Sequence, residues 1–204
     1  GDGALGRACP TPDEIRVQLW LQLSRGAKGV LWFIGFNENE FRRYYTQAQD
    51  IPALRNLPAS ERAPLVEQLV QHGREAFEEQ ARLNRFLQPL RAELLAMDWR
   101  PNGVRVLRAS NPRKLDATLT VGERTAAVWL TNYDYAIHPQ GYRFREQRDI
   151  ELEARLPRWL KPKTATLLTP DGTAQPLPLE SIGMHAVRLK VEALPLQVGL
   201  IWIR

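Results

Sequence analysis

One cysteine, Cys9, and three histidines, His72, His138 and His185, are all this chain holds of the residue types that most often bind metals. A lone cysteine excludes an internal disulfide, and the four residues sit in unrelated segments without zinc-like spacing. No Cys-His or Ser-His-Asp set can be assembled from them, so no catalytic residue, metal ligand or cofactor is read from the sequence. A phosphate-binding glycine loop is also missing, because "GDGALG" neither follows a strand nor opens a helix. No apolar run approaches the roughly 20 residues of a membrane-spanning helix, so no membrane partner is expected. The N-terminus lacks a charged segment followed by a greasy one, but a signal peptide can be removed, so the compartment stays open and includes a secreted or periplasmic location.

What is present suits a folded protein: 204 residues with 44% hydrophobic content can bury one sizeable core or two small ones. The net charge of +5 is uneven. Up to Asp98 there are 12 basic and 13 acidic residues; from Trp99 onward there are 16 and 10. Arg143, Arg145, Arg148, Arg155, Arg158, Lys161 and Lys163 carry much of the excess, which suits an anionic polymer. Glu146, Asp149, Glu151 and Glu153 interrupt the series, and no RNA-binding pattern of aromatics and glycines accompanies it, so nucleic acid is disfavoured as a partner.

Thr11-Pro12-Asp13-Glu14 is a helix start, with Thr11 as cap, proline in the first turn and Glu14 closing a capping box. The helix should run to Ser24 or Arg25, with Ile15, Leu19, Trp20 and Leu23 inward and Gly26 as its C-cap. "GVLWFIGF", residues 29–36, then has no polar face, as expected of a strand covered on both sides in a parallel sheet. Residues 37–62 are polar and aromatic, with weak helical signals, and are long for a connection. A second helix is expected over 63–95, bent or split at Pro89.

Beyond "DWRPNG" the pattern changes. Runs at 104–108, 115–121, 125–131, 149–156, 164–168, 186–191 and 198–203 are short, largely alternating and bounded by turn residues. They predict an antiparallel β-sandwich. The boundary falls near 97–103, giving a segment 1–98 and a sandwich 99–204.

One buried strand cannot make an α/β sheet, since each parallel neighbour needs its own crossover of a dozen or more residues. The series Pro10-Thr11-Pro12-Asp13-Glu14-Ile15-Arg16, then Trp20, Gly26-Ala27-Lys28-Gly29-Val30 and Phe33, resembles the end of the catalytic barrel in β-galactosidase-like TIM-barrel glycoside hydrolases. "LNRFLQPLRAELLAMDW" looks like their eighth helix, and "RTAAVWLTNYDY" through "LPLQVGLIWIR" is similar to their C-terminal sandwich. The resemblance implies an α+β chain: the last helix, strand and helix of a (β/α)8 barrel, then an antiparallel β-sandwich. It places the catalytic carboxylates, at the ends of the fourth and seventh barrel strands, outside this chain, so the chain alone should not hydrolyse glycosides.

Barrel sites form at the C-terminal ends of the strands. The resemblance therefore makes Trp32, Phe36, Asn37 and Glu38, with Glu40 beyond, candidate substrate contacts, and carbohydrate the candidate ligand. A core role for the aromatic residues and a solvated loop for the acids are the alternatives. Asn132, Tyr133, Asp134 and Tyr135 read either as a carbohydrate-binding loop or as an ordinary turn. The remaining partners are the rest of the barrel, or a second copy through the exposed strand. The other reading is a stand-alone α+β interaction or carbohydrate-binding module.

Overall fold

The computed structural model describes residues 10–31, 37–47, 54, 56–138, 141–194 and 196–204. The first helix forms as α1 (Pro12–Leu23). Thr11 Oγ1 accepts the Glu14 N–H at 3.3 Å and the Glu14 carboxylate accepts the Thr11 N–H at 2.7 Å, completing the capping box. At the other end Gly26 adopts φ +91°, and the N–H groups of Gly26 and Ala27 donate to the carbonyls of Leu23 and Gln22. These two bonds make a Schellman ending, which needs a left-handed residue where glycine fits without strain.

The strand expected over 29–36 does not begin where the sequence suggested. Gly29, Val30 and Leu31 have no regular structure, and Leu31 is 89% exposed. Trp32, Phe36 and the residues between them lie outside the described residues. Among those described, no strand precedes Asp98 and every strand pairing is antiparallel, so the barrel expectation has no parallel ladder behind it.

The passage 37–62 is more helical than its composition suggested, because it contains α2 (Glu38–Gln47). Asn37 Oδ1 caps it by accepting the N–H groups of Asn39 and Glu40 at 3.1 and 3.3 Å. Phe41 and Tyr45, four residues apart, meet edge-on and pack on Val66, Leu69 and Val70. Those residues belong to α3 (Ala59–Leu87); Pro89 then splits off a 3₁₀ turn (Gln88–Leu90) before the short α4 (Arg91–Leu95).

The second half forms β1 (Asp98–Arg100), β2 (Val104–Arg108), β3 (Leu115–Val121), β4 (Ala126–Asn132), β5 (Tyr135–His138), β6 (Gly141–Phe144), β7 (Gln147–Arg155), β8 (Ala165–Leu168), β9 (Ala174–Leu177), β10 (Leu179–Ser181), β11 (Ala186–Leu194) and β12 (Val198–Ile203). They make a six-stranded sheet in the order β1-β3-β4-β12-β8-β9, a four-stranded sheet in the order β10-β11-β7-β2, and a separate β5–β6 hairpin. The chain is thus mixed helix and antiparallel sheet, α+β in content. The seven runs read from the sequence are all strands; β1, β5, β6, β9 and β10 are additional.

The layers are the four-stranded sheet, the six-stranded sheet and the helices. Leu119, Val128, Leu130, Leu152, Leu189, Ile201 and Ile203 fill the space between the sheets. Ile15, Leu19, Trp20, Ala76 and Leu83 cover the other face of the larger sheet, against Ala127, Trp129, Val198, Leu200 and Trp202. Strands β4 and β12 are consequently buried at every position. Trp20 is the joint: its Nε1–H donates to the Gly199 carbonyl at 3.0 Å and its ring meets Trp129 edge-on at 5.6 Å. On the opposite face of Gly199, a Cβ would come within 2.7 Å of Leu194 Cδ1 and 3.0 Å of Leu167 Cδ1.

A charged cluster is buried beside this joint. Glu79 on α3 is 2% exposed and takes Arg82 at 2.9 Å; Arg16 Nη1 lies 3.0 Å from Glu79 Oε1 without aligning a hydrogen on it, so that contact is coulombic. Arg16 also pairs with Asp13, and its Nε donates to Gln197 Oε1 at 3.1 Å. The cluster ties α1, α3 and the approach to β12 together.

Candidate functional site

An apolar concavity among the described residues lies where the Gly26 turn, the end of α3, α4 and the larger sheet meet. It encloses about 310 Å³. Leu19, Leu23, Val30, Leu87, Leu94 and Met97 make its walls, with Thr120 and Trp129 at the sheet side. The periodicity of α1 and α3 supplies the leucines, and the Schellman turn brings residues 26–30 back across the opening. Leu31, Leu95 and Trp99 stand exposed in the segments that flank it.

Most of the polar groups at the floor of this cleft are already engaged. Trp129 Nε1–H donates to Thr120 Oγ1 at 2.9 Å, and the Thr120 hydroxyl in turn approaches Met97 Sδ at 3.4 Å. The Lys28 ammonium donates to the Met97 carbonyl and lies 3.9 Å from Asp98. Arg91 is exposed on the rim and makes no ion pair among the described residues. Such a site can bury an apolar group beside a cation; it offers no paired carboxylates or nucleophile for chemistry.

Trp32 and Phe36 lie outside the described residues, so the aromatic part of the expected sugar contact has no geometry here. Asn37 caps α2, and Glu38 is held by Arg42 at 3.0 Å and Arg74 at 2.5 Å. Hydrogen bonds from Arg74 and then Arg42 hold the Glu38 carboxyl below the usual glutamate range. It is therefore an ionised acceptor rather than a proton donor. Glu40 is exposed on the same helix, and neither Asn37 nor Glu38 lines the apolar cleft.

Asn132, Tyr133, Asp134 and Tyr135 are brought together as a turn stitched to its surroundings. Asn132 Oδ1 accepts the Asp134 N–H at 2.8 Å, its amide donates to the Arg145 carbonyl at 2.7 Å, and Asp134 accepts from Asn111 at 3.0 Å. Burial, reinforced by nearby Asp116, pushes the Tyr133 hydroxyl above its ordinary pKa despite Arg25. Tyr135 leaves this turn at the base of the β5–β6 hairpin and meets Phe144 at 5.6 Å.

The basic series divides. Arg145, Arg148 and Arg155 lie near Asp134, Glu146 and Glu153, whereas Arg158, Lys161 and Lys163 make no ion pair among the described residues. Two features gave no warning in the sequence. Glu79 sits beside Glu78 on a helix and looks solvated, and Lys28 reads only as part of a turn. Among the described residues no three His, Cys, Asp or Glu side chains converge as a metal site, and no helix is long and apolar enough to cross a membrane.

No family model matches this chain, and no curated protein matches its sequence. Among solved structures it is similar to a cycloisomaltooligosaccharide glucanotransferase of Paenibacillus sp., determined in complex with cycloisomaltoheptaose, at 15% identity and a TM-score of 0.45. The match covers 69% of this chain and 21% of that one, so the chain spans about a fifth of the length of that structure.

Proposed function

We propose that the chain acts as a non-catalytic C-terminal segment of a glycoside hydrolase-like protein, closing its barrel and carrying an accessory β-sandwich. The observation that carries this reading is the apolar cleft between α1, α3 and α4, which opens beside Val30 and the exposed Leu31, where the apolar run 30–34 begins. A water-exposed leucine next to an apolar cleft is a surface that a barrel neighbour would cover. The sequence resemblance of residues 10–33 supports a barrel as that neighbour, and carbohydrate as the ligand class of the whole. In this reading Trp32, Phe36 and Asn37 border the sugar cleft, and Glu38 accepts hydrogen bonds from sugar hydroxyls rather than donating a proton.

The test compares the product of the complete reading frame with the 204-residue chain on aryl glycosides. Hydrolysis by the longer protein alone is expected. Hydrolysis by the 204-residue chain, or a reading frame without further βα units, overturns the reading.

The stand-alone α+β interaction or carbohydrate-binding module has its own supporting observation. Trp20, Leu19 and Leu83 share one core with β4 and β12, so the helices and the larger sheet bury apolar surface against each other. A monomer with one cooperative melt in sedimentation and calorimetry favours this second reading; self-association that hides the apolar surface favours the first.

A further inference from the structure

The loop 156–164 crosses the end of the sandwich from β7 in the smaller sheet to β8 in the larger one. Its course is fixed by its own side chains. Leu156 and Leu160 are buried in the core between the sheets, Leu160 N–H donates to the Pro157 carbonyl at 3.1 Å, and Lys163 and Thr164 N–H groups donate to the Arg204 carbonyl. Pro157 and Pro162 stiffen it further. Between these anchors Trp159 points outward, 60% exposed. From Ala154 to Thr164 the chain carries Arg155, Arg158, Lys161 and Lys163 and no acid.

We propose that this loop binds an anionic polysaccharide, with Trp159 stacking on a sugar ring and Arg158, Lys161 and Lys163 holding its carboxylate or sulfate groups. A large aromatic ring held in water by buried neighbours on both sides is presented, not merely misplaced. Cations without acidic partners keep their charge available for a ligand. Non-specific nucleic-acid platforms stack successive bases on several aromatic side chains, and this loop has one ring. Insertion into a membrane surface needs a continuous apolar face, whereas Leu156 and Leu160 point into the core and leave Trp159 alone among basic residues; the neighbouring turn adds only the exposed Met184. These residues are separate from the apolar cleft, so the proposal stands whether or not the chain closes a barrel.

The experiment measures binding of the full chain to heparin and polygalacturonate, with dextran, a duplex DNA and phosphatidylserine vesicles as comparisons. Binding to at least one of the two acidic glycans should exceed binding to dextran. Affinity should fall about tenfold in Trp159→Ala, the order of one lost ring contact. The triple variant Arg158→Gln, Lys161→Gln, Lys163→Gln should lose affinity and most of its salt dependence, while Trp159→Ala keeps its salt dependence. The indole emission change on binding should vanish in Trp159→Phe, a variant that leaves the two leucine anchors in place. Equal binding to dextran, unchanged affinity in both sets of variants, or tighter binding to DNA or to the vesicles overturns the proposal.

Discussion

Replacing Glu79 by alanine should destabilise the protein far more than an ordinary helix-surface glutamate would. The carboxylate is 2% exposed, and its removal leaves Arg16, whose side chain is 8% exposed, without its partner on α3. Breaking a buried ion pair by removing one member costs about 3–5 kcal/mol, because the other charge stays desolvated. The Arg82 contact adds little, since Arg82 is half exposed and such pairs are worth at most about 1 kcal/mol. Arg16 keeps Asp13 and Gln197, which places the expected loss near the lower end, about 3 kcal/mol. With urea slopes of about 1–3 kcal/mol/M, the unfolding midpoint should drop by roughly 1–3 M. Removing both charges in Arg16→Met, Glu79→Leu should recover most of that loss, because no buried charge is then left alone. Urea titrations followed by far-ultraviolet circular dichroism and tryptophan emission supply both numbers. A single variant within about 0.5 kcal/mol of wild type, or a double variant no better than the single, would refute the argument from desolvated charge.

Trp20→Phe keeps an aromatic ring but removes the donor to the Gly199 carbonyl, and should cost about 1–3 kcal/mol in the same titration. Gly26→Ala forces a Cβ into φ +91° within 3.4 Å of Trp99 Cβ, and should lower stability by about 1–2 kcal/mol. Glu38 has a folded pKa below its unfolded value, so its stabilising contribution is present above the ordinary glutamate range and is lost as pH falls through the lower folded value. Carboxyl titration by NMR should show that lowered midpoint, and Arg74→Gln should return it toward the ordinary range.

Local chemistry was the most readable part of the sequence. Thr11 to Glu14, Gly26, Pro89 and seven strands could be placed because each rests on neighbours close in the chain. The physics of strands apolar on both sides holds for two segments other than 29–36, most of which lies outside the described residues. "AAVWLTN" and "VGLIWI" are the strands covered on both faces, in an antiparallel sheet that has helices on one side and a second sheet on the other. That covering comes from α3 and from α1, the latter more than 100 residues earlier, and sequence patterning carries no trace of it. The helix at Glu38 was legible in principle, since Asn37 followed by Glu40 is a capping pattern and Phe41 and Tyr45 share a face. The Glu79 cluster was not, because burial of a charge depends on partners that only the folded chain assembles. The cleft likewise joins residues near 20, 90 and 120, a set that no local window contains.

Gly199 has a consequence for how this protein can change. Its carbonyl receives Trp20 on the helical side, while the space its absent side chain leaves is filled by Leu194 and Leu167 on the other. A methyl group there would push on the inner sheet contacts and, through the shift of β12, loosen the indole bond as well. Substitutions on either side of the large sheet therefore constrain one another through a single backbone position, and two regions far apart in sequence are expected to drift together over evolution.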